Sequence, residues 1–342
     1  MLFWHFLRFL LCLWSISDAH DTSDNKRYRL IVTHHKTGTM LARKLKFILN
    51  DLKVNKLTHQ YSIATIGDGL HDIGLNPQWT NVVHLMRNPF SMIISSYYYH
   101  QMTTESWVHC QITNQFSNPI CPFKSKYLTV QNTLKYIHEN LNGQLNLTAY
   151  HRDVNPNDES RKHKAIYKFP QAGHHTYQTY LKALTPIQGI ITEMIRVNFH
   201  DIPSMIEDFL LMEKMKAYYS LPNTYPSHLT RSFHSVCLES LTSVSKTGQV
   251  MNSEAGLRGI LEMLDISVPD EDMVKISGWV NRGTEAHQTN HTTSSRGQVE
   301  SFLRWYDHNH YDGLVHQYEK MINCGVTSHR SSRPTETIEQ KR

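Results

Sequence analysis

The chain has 342 residues, is 39% hydrophobic and 19% charged, and carries a formal net charge of +5 that leaves 23 histidines uncounted. That is room for one large α/β domain or two small ones, and the basic balance suits an anionic cofactor or substrate. No dense Lys/Arg block with interleaved aromatics occurs, which argues against nucleic acid as a partner, and no internal repeat is evident.

Residues 1–19 read as a secretory signal. Leu2 to Trp14 is largely apolar, His5 and Arg8 lie early in it, and Ser17-Asp18-Ala19 offers a small-residue cleavage site. The apolar run is shorter than the roughly 20 residues a spanning helix needs. An uncleaved anchor is the rival reading, and membrane association is expected only in that case; an organelle-targeting presequence is a third. Asn146-Leu147-Thr148 and Asn290-His291-Thr292 are glycosylation sequons, in keeping with the secretory pathway, either the Golgi lumen or a secreted form.

Arg29 to Val32 predicts a short buried strand, Thr33 to Thr39 a tight polar turn, and Leu41 to Leu49 an amphipathic helix. Such a turn aims backbone N–H groups and the positive end of a helix dipole at one spot, which suits a phosphate or sulfate. Lys36 adds a full charge, Thr37 and Thr39 add hydroxyls, and Gly38 allows the turn. A nucleotide-triphosphate loop has a longer glycine cradle ending in Lys-Ser/Thr; here the lysine precedes the glycine.

A second strand–helix unit runs from Asn81 to His100. Val82, Val83, Leu85 and Met86 predict the buried strand and Pro89 the first turn of the helix. Arg87 falls at the strand's C-terminal end, where ligands of open α/β sheets collect. Ser95, eight residues on, could join its guanidinium on one phosphate.

Lys36-Thr37-Gly38-Thr39 after a strand, followed about fifty residues later by Arg87-Asn88-Pro89 and Ser95, resembles the two donor-binding motifs of sulfotransferases that use 3′-phosphoadenosine 5′-phosphosulfate (PAPS). His35 stands where many members have proline. The resemblance implies a three-layer, P-loop-like α/β fold with a central, mostly parallel sheet flanked by helices. It implies PAPS as sulfuryl donor, with Lys36 and the N–H groups of Thr37, Gly38, Thr39 and Met40 on its 5′-phosphate, and Arg87 and Ser95 on its 3′-phosphate. The acceptor would be a hydroxyl or amine, with carbohydrate first. No metal is required on this reading, since lysine and backbone donors supply the positive field.

A single domain is expected over 28–324, with a polar insertion at about 101–175 that holds a helical patch at Val130 to Leu141. The insertion reads either as an acceptor-binding lid or as a surface excursion. Cys110 and Cys121 flank a polar loop and could close it, whereas Cys237, in an apolar run, reads as a buried free thiol. Ile202 to Lys216 and Ala255 to Leu264 have helical spacing, with an exit at Asp265 to Pro269. Phe233 to Leu241 predicts a third sheet strand ending in Glu239, similar to the family's Leu-Glu-Asp-Leu strand with Ser240 in place of aspartate.

Arg296 and Gly297 precede a final helix, Val299 to Tyr306, and look like the family's basic loop over the 3′-phosphate. The tail at 325–342 reads as disordered. For the base that takes the acceptor's proton, Glu193 is the first choice, at the end of an apolar run expected near the cleft; His100 and His109 come next. His34 and His35 flank the loop and are expected to shape it. His174-His175 and the His308/His310 spacing are weak metal candidates. Alternatives are a non-catalytic binding protein on a sulfotransferase scaffold and a P-loop nucleotide kinase.

Overall fold

The computed structural model describes residues 27–34, 37–51, 61–66, 79–110, 112, 124–140, 176–220, 232–244, 250–281, 293–310 and 313–324. Residues 1–19, read above as a secretory signal, and His35, Lys36, Cys121, His174, His175 and residues 325–342 lie outside the described residues.

Two strand–turn–helix units open the fold: β1 (Arg27–Val32) into α1 (Thr39–Asp51), and β3 (Trp79–Met86) into α2 (Pro89–Met102). With β2 (Tyr61–Ile66) and β4 (Ser232–Cys237) the strands form one sheet, in the order β2-β1-β3-β4, and every neighbouring pair is parallel. A parallel sheet covered on both faces needs continuous apolar strands, and Leu30-Ile31-Val32 and Val82-Val83 meet that need. The side chains alternate between two layers. Ile31, Val83, Leu85 and Val236 pack under α1, α7 (Glu254–Met263) and α8 (Asp270–Asn281). Leu30, Val32, Val82 and Phe233 pack under α6 (Asp201–Tyr219) through Met212. The class is α/β.

The largest core lies beside the sheet. There α2, α3 (Lys124–Asn140), α4 (Tyr177–Ala183), α5 (Pro186–Phe199), α9 (Thr293–His310) and α10 (Leu314–Ile322) bury Phe90, Leu134, Ile191, Phe302 and Tyr318 against one another. Local chemistry sets the helix starts. Asn88 caps α2 by accepting from the N–H groups of Phe90 and Ser91, with Pro89 in the first turn. Thr185 and Gln188 form a capping box before Pro186 on α5. Gly189 lets α5 approach α2 closely, since a Cβ there would lie 2.0 Å from the Tyr97 ring.

Five expectations are corrected. Between the two strand–helix units, where the sequence predicts no element, lies an edge strand, β2. The insertion is not all surface, because Val130, Leu134 and Ile137 of α3 are buried in the main core. The apolar run before Glu193, expected to end near a cleft, lies inside a helix, α5. Cys237 is no free thiol: it is bonded to Cys324, 87 residues on, which ties β4 to the end of α10. Finally, Arg296 and Gly297 lie within α9 and not in a loop before it, Gly297 being exposed. The helices α6 and α7 fall where their spacing predicts. Cys110 is disulfide-bonded. No described helix is long and apolar enough to cross a membrane.

Candidate functional site

The turn between β1 and α1 is organised around one peptide group. The His34 carbonyl accepts from the Thr37 N–H at 3.1 Å and from the Thr37 and Thr39 hydroxyls, each at 3.0 Å. The His34 N–H in turn donates to Thr37 Oγ1 at 2.6 Å. Both threonine side chains, expected to face an anion, are therefore turned inward to lock the turn, and the Thr37 N–H is spent there as well. The helix begins with Ala42 N–H on the Gly38 carbonyl at 2.9 Å. The N–H groups of Gly38, Thr39, Met40 and Leu41 precede that first helical bond and are the donors an anion would meet.

Gly38 has φ +106°, a conformation other residues rarely adopt, and a Cβ would lie 3.0 Å from Leu85 Cδ1 and 3.5 Å from Leu238 Cδ1. The turn thus rests on the ends of β3 and β4. Arg87 is two residues beyond Leu85, so the Gly38 turn and Arg87 share one end of the sheet. Met40, next along, is 63% exposed.

Arg87 is half-buried, with Nε 3.8 Å from Glu239 Oε1, and the same oxygen accepts from the Asn88 N–H at 3.1 Å. Glu239 belongs to the 3-10 turn Leu238–Leu241 that follows β4. Asn88 Nδ2 donates to Glu319 Oε1 at 3.3 Å, and Glu319 is ion-paired with Arg304. Arg304 lies 4.8 Å over the Phe90 ring. A second guanidinium therefore stands near the start of α2. Ser95 is half-buried on α2, two turns in.

Glu193 and His100 are brought together, 2.7 Å apart, and both are fully buried. Glu193 also accepts from the Tyr177 hydroxyl at 2.9 Å and from Arg196 Nε at 2.9 Å, and Arg196 reaches Asp201 at 3.0 Å. Burial alone would raise the Glu193 pKa; the charges and hydrogen bonds of His100 and Arg196 outweigh it and bring the group down to about 2. The expected apolar run ending near a cleft is in fact the middle of α5, and neither group presents a surface to a substrate. His100 is eleven positions beyond Pro89, about 17 Å along the α2 axis. Lys36, the cation expected at the turn, lies outside the described residues.

Compared with models of protein families, with curated proteins and with solved structures, the chain matches none.

Two members of it escaped the sequence reading. His84 sits fully buried in β3, its Nε2 3.1 Å from His34 Nε2, and His34 Nε2 is 3.3 Å from Asp208 Oδ2 on α6. Burial, and then His34 beside it, push the His84 pKa well below its ordinary value, so it is neutral. Signals were present. His84 interrupts Val82-Val83 and Leu85-Met86, and Asp208 falls on the buried stripe Ile202, Met205, Met212. Among the described residues no group of three His, Cys, Asp or Glu is placed to hold a metal.

Proposed function

We propose that the chain is a sulfotransferase of P-loop-like α/β fold that moves a sulfuryl group from PAPS to a hydroxyl or amine acceptor, carbohydrate being the expected class. One observation carries the reading. The two units bearing the donor motifs are parallel neighbours in the sheet, and Gly38 of the first rests on Leu85, two residues before Arg87 of the second. The fit to a nucleotide anionic at both ends rests on the same place. Gly38 lets the turn pack against Leu85, four N–H groups precede the first helical bond of α1, and Arg87 stands at the adjoining strand tip. Bound there, the donor would supply an activated sulfuryl group. The chain's part is positioning and charge stabilisation, with Lys36 set against the leaving phosphate and Arg87 selecting the 3′-phosphate.

The test is retention on immobilised adenosine 3′,5′-bisphosphate, followed by sulfate transfer from labelled donor to a panel of glycans and small alcohols. Elution by the free bisphosphate, but not by ATP with magnesium, is expected. Lys36→Ala should abolish transfer with the fold intact, and Arg87→Ala should raise the donor KM. Normal transfer by both variants would overturn the assignment. The second reading, a non-catalytic binding protein on this scaffold, is favoured by the full burial of Glu193 and His100. It predicts retention without transfer to any acceptor.

A further inference from the structure

We infer that Asp208 is a positioning residue for the anion-binding turn, acting through the His34 ring. The inference rests on the sulfotransferase reading only for the identity of the ligand; the positioning itself is a matter of geometry.

The protons on the cluster follow from its distances. An ionised carboxylate only accepts, so the 3.3 Å approach of His34 Nε2 to Asp208 Oδ2 is favourable with the proton on His34 Nε2. His84 Nε2, 3.1 Å from the same nitrogen, then faces that N–H as a second acceptor shared with Asp208. Neutral His84 therefore carries its own proton on Nδ1, which is buried and has no hydrogen-bond partner. The reverse arrangement, with His84 donating, would set an unprotonated His34 nitrogen against the carboxylate. Asp208 thus helps fix the orientation of the His34 ring, together with His84 of β3, whose ring meets it edge-on at 5.2 Å.

The His34 peptide is the hub of the turn. Its carbonyl takes three donors from Thr37 and Thr39, and its N–H reaches Thr37. Ring and peptide belong to one residue with few rotatable bonds, so a ring released from Asp208 loosens the peptide that holds the turn. A side chain 174 positions downstream on α6 therefore sets the direction in which the Gly38 to Leu41 N–H groups point. The site needs this support because both threonine hydroxyls that might have steadied a ligand directly are spent inside the turn.

The experiment compares Asp208→Leu, which removes the acceptor but suits the apolar stripe, with Asp208→Asn, which keeps an acceptor oxygen. Met212→Ala, one turn further along α6, controls for loosening of that helix alone. Two quantities are read on the full chain: hydrogen exchange of the amides from Thr37 to Leu41, and the Kd for adenosine 3′,5′-bisphosphate by calorimetry. Asp208→Leu should speed that exchange and weaken the Kd at least tenfold. Asp208→Asn and Met212→Ala should stay within threefold of the parent in both. If Asp208→Leu does not fold, His34→Leu against His34→Gln makes the same comparison from the other partner, since glutamine keeps an N–H near the Nε2 position. Unchanged exchange in a folded Asp208→Leu or His34→Leu chain overturns the inference. So does equal loosening by Met212→Ala, or an Asp208→Asn chain as loose as Asp208→Leu. A parent chain that fails to bind the bisphosphate while exchange changes as expected would refute the sulfotransferase reading and leave the positioning role standing.

Discussion

Replacing Glu193 with glutamine tests whether a fully buried carboxylate is structural or catalytic. The carboxylate is fully buried and accepts from His100, Tyr177 and Arg196. Its pKa falls from 4.5 to about 2, and at about 1.4 kcal/mol per unit the charged form contributes about 3 kcal/mol to folding. The sign follows from the direction: a lowered pKa gives stability that is complete above pH 4.5 and disappears as pH falls towards 2. Glu193→Gln also removes one of the carboxylates paired with Arg196, and breaking a buried pair from one side costs about 3–5 kcal/mol. Urea unfolding of parent and variant across pH 2 to 7 is the assay. The variant should be less stable by about 3–5 kcal/mol at pH 7, and should lack the share of the parent's acid loss that belongs to Glu193. Equal stability at pH 7 would refute the structural assignment. If the variant were also unable to transfer sulfate, Glu193 would return as the acceptor's base.

Gly38→Ala forces a side chain into φ +106° and onto Leu85; it should cost about 1–3 kcal/mol in thermal unfolding and weaken bisphosphate binding, and an unchanged melting curve would count against the turn geometry. The paired change Cys237→Ser and Cys324→Ser opens a loop of 87 residues, which the chain-entropy relation values at about 4–5 kcal/mol; a loss under about 1 kcal/mol would show that the unfolded chain is not the state the bond constrains. Gly189→Ala sets a Cβ 2.0 Å from the buried Tyr97 ring and should destabilise by about 1–3 kcal/mol, read from the denaturation midpoint, with the slope unchanged.

What could be read from the sequence was local. The units around Gly38 and Arg87 announce themselves by an apolar strand, a turn residue and an apolar helix within about 20 residues, and Pro89 marks the helix start of the second. The same holds for α6 and α7. β2 was hidden because Tyr61 to Ile66 lies in polar surroundings and pairs with β1 alone, as an edge strand. The partner of Cys237 was hidden because α10, which delivers Cys324, has no strong start signal: it follows Gly313, whose φ of +78° places it in the left-handed region.

The buried charges were the hardest part, and for a physical reason. A carboxylate on a helix reads as a solvated face, because nothing nearby in the chain reveals its partner. Glu193 finds His100 at a separation of 93 residues, and Asp208 finds His34 across more than 170. Yet Glu193 stands within Ile190-Ile191 and Met194-Ile195, and Asp208 within Ile206 and Phe209-Leu210, where an unpaired charge would cost several kcal/mol. A carboxylate at that spacing implies a donor from another element. In this chain those donors, His34 and His100, come from the two units that carry the motifs, with His84 of the second closing the cluster at His34. The helices α5 and α6 are thereby tied through buried carboxylate–histidine contacts to the two strand–turn–helix units, α6 at the turn before α1 and α5 at the far end of α2.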